Sequence, residues 1–313
     1  MSRFRFWLLF AATALVALTL LSPKLPLPGR FYRVVFTLDI TQSMNVEDVL
    51  QDGHSVRRLE LAKQAVWRSI ESMPCDSQVG FAIFTEHRSY LILSPIEICA
   101  NYRELQQILD NIDWQMAWRS SSEVAKGLIS AMRVGTSLQP PARIVFISDG
   151  HEAPPIHPDL RQVPKKAAVD QVGAIVGVGG DELSPIPVYS PEGKITGYWR
   201  AQDIVQADVF SSGRDGSGEA MVAADGSKLS APASSGNEHL SSLRESWLKQ
   251  LASDAGYRYV RLQTPEQTAR FLVGSALADS KSVETDIRGL FAGVALLLIV
   301  LAYLPQSVWE KTK

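Results

Sequence analysis

The chain has 313 residues, of which 46% are hydrophobic and 20% are charged, and its formal net charge is −2. This composition is typical of a globular protein and excludes a disordered chain. Acidic and basic residues are mixed along the sequence, so no basic face indicates a nucleic-acid partner.

Residues 1–30 predict a signal anchor followed by a Pro-rich spacer. Arg3 and Arg5 precede an uncharged, mostly apolar run from Phe6 to Ser22, and "SPKLPLPG" follows that run. A basic start before an apolar run is typical of export signals. No clear small-x-small cleavage site follows, which favours a retained anchor over a signal that is removed.

The first strand of the central region, predicted at Arg33–Leu38, leads into three oxygen-bearing side chains. The stretch "RVVFTLDITQSMN" places Asp39, Thr41 and Ser43 at alternate positions. Alternate side chains at a strand end point the same way, so these oxygens could form a turn, a helix cap or part of a cation site. The following acids, Glu47 and Asp48, could extend a cation site, but we expect them to lie in an exposed loop.

A helix and a hairpin come next. Apolar residues at helical spacing predict a helix over Arg58–Met73. The alternating stretches "QVGFAIFT" and "SYLILSPIEI" predict two strands joined by a turn at Glu86–His87.

Cys75 and Cys99 flank this hairpin and provide an argument about export. Pairing the two strands in register about the turn sets Cys75 opposite Cys99, although a shift of one residue would separate them. Two interpretations stay open: a disulfide, or two separate buried thiols. A disulfide would agree with a domain that is exported from the cytoplasm.

The remaining elements continue the alternation of helices and strands. The pattern predicts helices over Asn101–Ile112, Ser122–Gly135, Ser242–Gly256 and Pro265 to about Leu277, and strands over Ala142–Gly150, Asp170–Gly180 and Tyr257–Leu262. The continuous apolar runs among them are typical of central parallel strands. Residues 181–238, rich in Gly, Ser and Ala towards their end, predict an extended, partly mobile insertion on the rim.

Residues 288–309 predict a C-terminal transmembrane helix. The run "GLFAGVALLLIVLAYLPQSVW" has about the length that a bilayer core requires. Two spans would place both termini on one side, and the basic residues near both termini favour the cytoplasm for these ends. Lys24, Arg30 and Arg33 weaken that bias. The expected location is the bacterial inner membrane, with the soluble domain in the periplasm.

The order of the elements predicts an α/β fold for residues 31–278. We expect an open, doubly wound, mostly parallel sheet with one antiparallel edge strand, of the Rossmann-like kind, together with terminal transmembrane helices. In such sheets, sites form where the strands end at their carboxyl edge.

Three segments bring oxygen ligands to that edge. They supply Asp39, Thr41 and Ser43 after the first strand, Ser122 at the start of a helix, and Asp149 after "RIVFIS". Hydroxyl and carboxylate oxygens suit a hard divalent cation, most naturally Mg²⁺, with Ca²⁺ or Mn²⁺ as alternatives. Taken singly, Ser43 and Ser122 could each be a helix cap, and Asp149–Gly150 a turn.

Together, "TLDITQSMN", "SSEVAKGL" and "FISDG" resemble the three parts of the metal-ion-dependent adhesion site of von Willebrand factor A domains. The resemblance implies that Asp39, Thr41, Ser43, Ser122 and Asp149 bind the metal ion. The family usually has Ser at the position of Thr41 and Thr at that of Ser122. Both differences keep the hydroxyl group.

Shorter stretches narrow the resemblance. "SMNVEDV" and "RLELAK" are similar to the membrane-anchored BatA/BatB-like domains. "LDITQSMNV", "CANY" and "SDGHEAPP" resemble the MxaL-like accessory proteins of the bacterial methanol-oxidation cluster. That resemblance implies a role in assembling the periplasmic, calcium-containing methanol dehydrogenase, which would then be a partner.

The resemblance implies a binding function rather than catalysis. The cation would hold an Asp or Glu carboxylate of a protein partner at an open coordination position. An enzyme using His151 and Glu152 as an acid–base pair is the competing class, but no nucleophile with a positioned base can be named, and "HEAPP" is typical of a loop with solvated charges. Two further alternatives are a scaffold whose site has decayed and a BatA/BatB-like stress-tolerance component that works with a MoxR-type AAA+ ATPase.

Overall fold

A six-stranded sheet organises the computed structural model, which describes residues 3–21, 23–51, 53–117, 121–153, 162–168, 171–200, 239–274 and 277–303. The described strands are β1 (Lys24–Phe31), β2 (Arg33–Asp39), β3 (Val49–Gln51), β4 (His54–Val56), β5 (Gln78–Thr85), β6 (Arg88–Glu97), β7 (Arg143–Ser148), β8 (Ala174–Gly177), β9 (Ser184–Pro185), β10 (Pro187–Tyr189), β11 (Ile195–Tyr198), β12 (Leu240–Ser241), β13 (Arg258–Arg261) and β14 (Asp279–Asp286). The described α-helices are α1 (Arg3–Thr19), α2 (Arg58–Glu71), α3 (Tyr102–Asn111), α4 (Val124–Ser137), α5 (Glu245–Ala255), α6 (Pro265–Gly274) and α7 (Arg288–Tyr303).

The main sheet has the strand order β13-β8-β7-β2-β5-β6. Every neighbouring pair is parallel except β5 and β6, which are antiparallel. This confirms the prediction of a mostly parallel α/β sheet with one antiparallel edge strand.

Helices cover both faces of the sheet because successive side chains of the central strands point to opposite faces and are apolar on each face. Within β2, Phe36 packs in one buried cluster with residues of α2, α3 and α6. Its neighbour Val35 packs in the other cluster with residues of α4 and α5. The two clusters place the sheet at the centre of a doubly wound domain, between two layers of helices.

The hairpin β5–β6 departs from the simple register that the sequence predicts. Near the turn Ile83 faces Tyr90, whereas at the far end Gln78 faces Glu97, because two irregularities shift the pairing between these points. Bulges of this kind add a residue to one strand without changing the strand pattern of the sequence.

Residues 181–200, at the start of the predicted insertion, form short strand pairs. β10 pairs with β11, and β9 pairs with β12 from the other side of the insertion. The rest of the insertion, residues 201–238, lies outside the described residues.

The chain divides into two compact units, Tyr32–Asp279 and a second unit of Met1–Phe31 with Ser280–Lys313. In the second unit, β1 and β14 form a two-stranded sheet, and helices α1 and α7 contact each other. Among the residues described, no helix combines the length and the hydropathy needed to cross a membrane. Residues 304–309 of the predicted C-terminal span lie outside the described part.

Candidate metal centre

Parallel register brings the two predicted aspartates to the same sheet edge. Asp39 is the last residue of β2, and Asp149 directly follows β7, the parallel neighbour in which Ile147 pairs with Leu38. Both side chains are fully buried.

The Asp39 carboxylate accepts hydrogen bonds from uncharged groups only among the described residues. Its Oδ1 accepts from the Thr41 backbone N–H at 2.9 Å and the Thr41 hydroxyl at 2.6 Å, and its Oδ2 accepts from the Ser148 hydroxyl at 2.6 Å. Burial, followed by the nearby charge of Asp149, raises the pKa of Asp39 to about 7, although the hydrogen bonds oppose this rise.

Thr41 and Ser43 extend this chain of oxygens. Their hydroxyl oxygens are 3.4 Å apart, and both residues are buried at the start of a 3₁₀ turn, Gln42–Asn45. Neither hydroxyl caps that turn, and helix α2 begins only at Arg58. The helix-cap interpretation of Ser43 is therefore wrong.

Ser122 reaches the same edge through backbone pairing. It forms a parallel bridge with Glu86, the residue after β5, and an antiparallel bridge with Ala153. Helix α4 begins two residues later, at Val124, so the prediction of Ser122 at the start of the helix is wrong. Its hydroxyl is buried and has no hydrogen-bond partner among the described residues.

Asp149 is the ionised member of the aspartate pair. Its Oδ2 accepts from the Arg58 guanidinium at 2.6 Å and from the Ser241 hydroxyl at 3.0 Å, and its Oδ1 accepts from the His151 backbone N–H at 3.0 Å. Burial, the largest single effect, would raise the pKa of Asp149, but the charges of Arg58 and His151 and the hydrogen bonds together outweigh it and hold that pKa below its usual value. A hydrogen bond from the Ser43 side chain lowers it further and links the two parts of the site.

Arg58 is a site residue that the sequence analysis did not identify. It lies on the same helical stripe as the apolar Ala62 and Val66, and an arginine on a buried stripe is a signal that a partner must be present. Its Nε donates to Asp48 Oδ1 at 2.8 Å. The expectation that Asp48 lies in an exposed loop is therefore wrong, whereas Glu47 is exposed.

Glu152 also departs from the solvated loop charge that we expected. Its carboxylate accepts from the backbone N–H groups of Val124 at 3.0 Å and Ala125 at 3.3 Å, and from the Trp247 indole N–H at 3.1 Å. It caps the start of α4 from a distant part of the chain. Burial raises the pKa of Glu152 to about 7.

Cys75 and Cys99 lie at the opposite end of β5 from the oxygen site. The structure joins them in a disulfide with an S–S distance of 2.00 Å and a Cα–Cα distance of 5.4 Å. Glu97 fixes the adjoining loop, because its Oε1 accepts hydrogen bonds from the backbone N–H groups of Asp76 at 3.0 Å and Cys99 at 2.9 Å.

The donor set and its burial fit a hard divalent cation. The edge offers carboxylate and hydroxyl oxygens, and the Ser122 hydroxyl is a buried polar group that a cation would satisfy. Side-chain contacts at this edge link Asp39 to Thr41, Thr41 to Ser43, and Ser43 to Asp149. The charges of Asp39 and Asp149 also interact.

A family model and one solved structure agree with this fold. The family model of the von Willebrand factor type A domain matches residues 34–151. A solved aerotolerance-related membrane protein from Bacteroides fragilis NCTC 9343, carrying multiple mutations to serine, is 19% identical, with a TM-score of 0.50 over 78% of this chain and 97% of that one. The conserved hypothetical protein BatB from Bacteroides thetaiotaomicron is 20% identical, with a TM-score of 0.49 over 77% of this chain and 95% of that one. A search of curated proteins found no significant match. The central domain therefore has an α/β fold of the von Willebrand factor type A kind.

Proposed function

We propose that the central domain binds one divalent cation at Asp39, Thr41, Ser43, Ser122 and Asp149, and through that cation a carboxylate of a protein partner. The observation that carries the proposal is the buried Ser122 hydroxyl, which lacks a partner among the described residues at an edge rich in oxygen ligands. Buried hydroxyls normally have hydrogen-bond partners, so this one is suited to a ligand.

Mg²⁺ fits the donor set best, with Ca²⁺ and Mn²⁺ as alternatives. The site offers hydroxyl and carboxylate oxygens, which these hard ions prefer to nitrogen or sulfur. When bound, the cation supplies a positive charge that attracts an anionic group of the partner.

The protein's own residues hold the site in place. Thr41 and Ser148 orient the Asp39 carboxylate, and Arg58 and Ser241 fix one oxygen of Asp149. This arrangement supports binding rather than chemistry, as is general for von Willebrand factor type A domains. Glu152 is committed to the N-terminus of α4, which does not favour a His151–Glu152 acid–base pair.

We place the domain in the periplasm, attached to the bacterial inner membrane. The basic and apolar terminal segments support an anchor, and the Cys75–Cys99 disulfide supports an oxidising compartment. The similar Bacteroides fragilis structure is described as a membrane protein.

For the biological process, we favour assembly of the calcium-containing methanol dehydrogenase, as an MxaL-like accessory protein. The short stretches "SDGHEAPP" and "CANY" support this choice. The alternative is a BatA/BatB-like stress-tolerance component acting with a MoxR-type AAA+ ATPase. The fold shared with the aerotolerance-related protein agrees with that alternative without favouring it.

Binding to purified candidate partners tests the function. Immobilised protein should retain purified methanol dehydrogenase in Mg²⁺ and release it in EDTA, and Ser43→Ala should retain much less because it loses a cation ligand. Retention that persists in EDTA and in Ser43→Ala would overturn cation-mediated binding. Mg²⁺-dependent retention of a MoxR-type ATPase instead would overturn the assembly role and establish the alternative.

A further inference from the structure

Arg58 is a fully buried arginine whose hydrogen bonds all go to the neighbourhood of the candidate cation site. Its guanidinium pairs with the carboxylates of Asp149 and Asp48. It also donates to the Ser241 hydroxyl at 2.7 Å, to the Ser241 carbonyl at 3.1 Å and to the Ser43 carbonyl at 3.3 Å. A buried charge is costly unless it is paired and hydrogen-bonded, and this one satisfies both conditions.

The surrounding backbone is shaped around this side chain. Gly179 has a φ of +135°, and a Cβ at that position would lie 2.9 Å from the Arg58 Nε. The next residue, Gly180, donates its backbone N–H to Asp48 Oδ2 at 2.9 Å. The space around Arg58 is therefore filled by neighbouring loops, which fixes the position of its positive charge.

The distribution of charge at the edge is uneven as a result. Arg58 pairs with two carboxylates, Asp48 and Asp149, whereas Asp39 has no cationic partner among the described side chains. A divalent ion at this edge would share Asp149 with a permanent positive charge. Like charges in a buried site repel strongly because the surroundings screen them poorly.

We propose that Arg58 is a positioning residue with two opposing effects on the cation site: its hydrogen bonds hold Asp149 and the Ser43 backbone in place, while its charge limits the affinity for the cation. The inference rests on the proposed function, because it concerns the same site. The charge of Arg58 keeps a bound ion only partly neutralised by the protein, which favours completion of its shell by an anionic partner.

Opposite charge changes around Arg58 test the proposal. Mn²⁺ affinity of the intact chain is measured by electron paramagnetic resonance at about pH 8, where carboxylates are ionised. Arg58→Gln should bind Mn²⁺ roughly tenfold or more tightly, since a repulsive charge is removed, and Asp48→Asn should bind it more weakly, since Arg58 loses its second counter-charge. Arg58→Lys keeps the charge but cannot form all of these hydrogen bonds, so it should bind Mn²⁺ no more tightly than wild type.

Ser241→Ala is the matched control, because it removes a hydrogen bond to Arg58 and to Asp149 without changing the charge. We expect it to change the Mn²⁺ affinity less than Arg58→Gln does. Circular dichroism checks that each variant folds, and Asp48→Asn decides the outcome if Arg58→Gln does not fold.

The results separate this inference from the function on which it rests. No Mn²⁺ binding by the wild-type chain would overturn both. Mn²⁺ binding that weakens in Arg58→Gln, or that does not weaken in Asp48→Asn, would leave the cation site standing and overturn the role of the Arg58 charge.

Discussion

Asp39 and Asp149 show how the surroundings of a residue decide its chemistry. Both are fully buried carboxylates at one sheet edge, but their pKa values shift in opposite directions. Burial and the charge of Asp149 raise the pKa of Asp39, whereas Arg58 holds the pKa of Asp149 below its usual value. Asp39 is therefore the carboxylate with the most to gain from a bound cation.

Glu152 gives a prediction about stability and pH. Its pKa is raised to about 7, mainly by burial, so the folded state favours the protonated form. Its stabilising contribution is complete below about pH 4.5 and is lost as the pH rises through about 7. We compare the unfolding free energy of wild type with that of Glu152→Gln. The wild-type value minus the variant value should fall by on the order of 2 kcal/mol between about pH 5 and about pH 8.

Urea unfolding of both proteins at the two pH values measures this difference. Glu60→Gln, which changes a partly exposed carboxylate of α2, is the control for removing a carboxylate outside this buried position. A Glu152→Gln difference that grows with pH would mean that the ionised carboxylate and its three N–H donors dominate instead.

At the scale of the residue, the sequence predicts the oxygen ligands better than the charged residues, Arg58 and Glu152, that lie around them. Asp39, Thr41 and Ser43 could be found because they follow one strand at alternate positions. The positions of Arg58 and Glu152 depend on partners far away in the chain, such as Ser241 and Val124. Only tertiary structure brings such residues together.

At the scale of the element, α4 lies very close to the sheet at Gly127. A Cβ at this position would lie 2.2 Å from the ring of Phe84, which is fully buried in β5. Gly127→Ala should therefore lower the unfolding free energy by about 1–3 kcal/mol, because overpacking outweighs the gain of about 1 kcal/mol in helix propensity.

Chemical denaturation of Gly127→Ala measures this loss. Gly274→Ala is the control, since it is also a helical glycine, but a Cβ there would lie within 4 Å of nothing among the described residues. The close packing of α4 on β5 would be contradicted if both substitutions left the unfolding free energy unchanged.

The long elements of the central domain follow from sequence pattern, and the short ones do not. Continuous apolar runs predict β7 and β8, and helical spacing predicts α2. The hairpin β3–β4 has exposed or partly exposed residues throughout, so no apolar pattern marks it. The bulges of β5–β6 likewise leave no signal in the alternation of side chains.

At the scale of the whole molecule, the class of fold could be predicted but the order of the strands could not. Alternating helices and strands indicate a doubly wound sheet. The order β13-β8-β7-β2-β5-β6 depends on which strands pair across the long connections, and that information is not local. The strand order matters for function, since it places β2 between β7 and β5 and so joins the ligands of all three segments.

The terminal segments form a unit of their own, and their attachment to a membrane stays a prediction. Helices α1 and α7 have 17 and 16 residues in the described part of the chain. The proposed binding function depends on the central domain, where the sheet edge lies.

Calorimetric titration of Mg²⁺, Mn²⁺ and Ca²⁺ into the intact chain is the most direct test of the central claim. Ser122→Ala removes a buried hydroxyl that has no partner among the described residues, and Thr268→Val removes a comparable hydroxyl of α6 outside the site. We expect saturable binding of one ion by wild type and Thr268→Val, and a loss of about tenfold or more in Ser122→Ala, since a ligand is lost. Absence of binding by wild type, or equal binding by wild type and Ser122→Ala, would contradict the account.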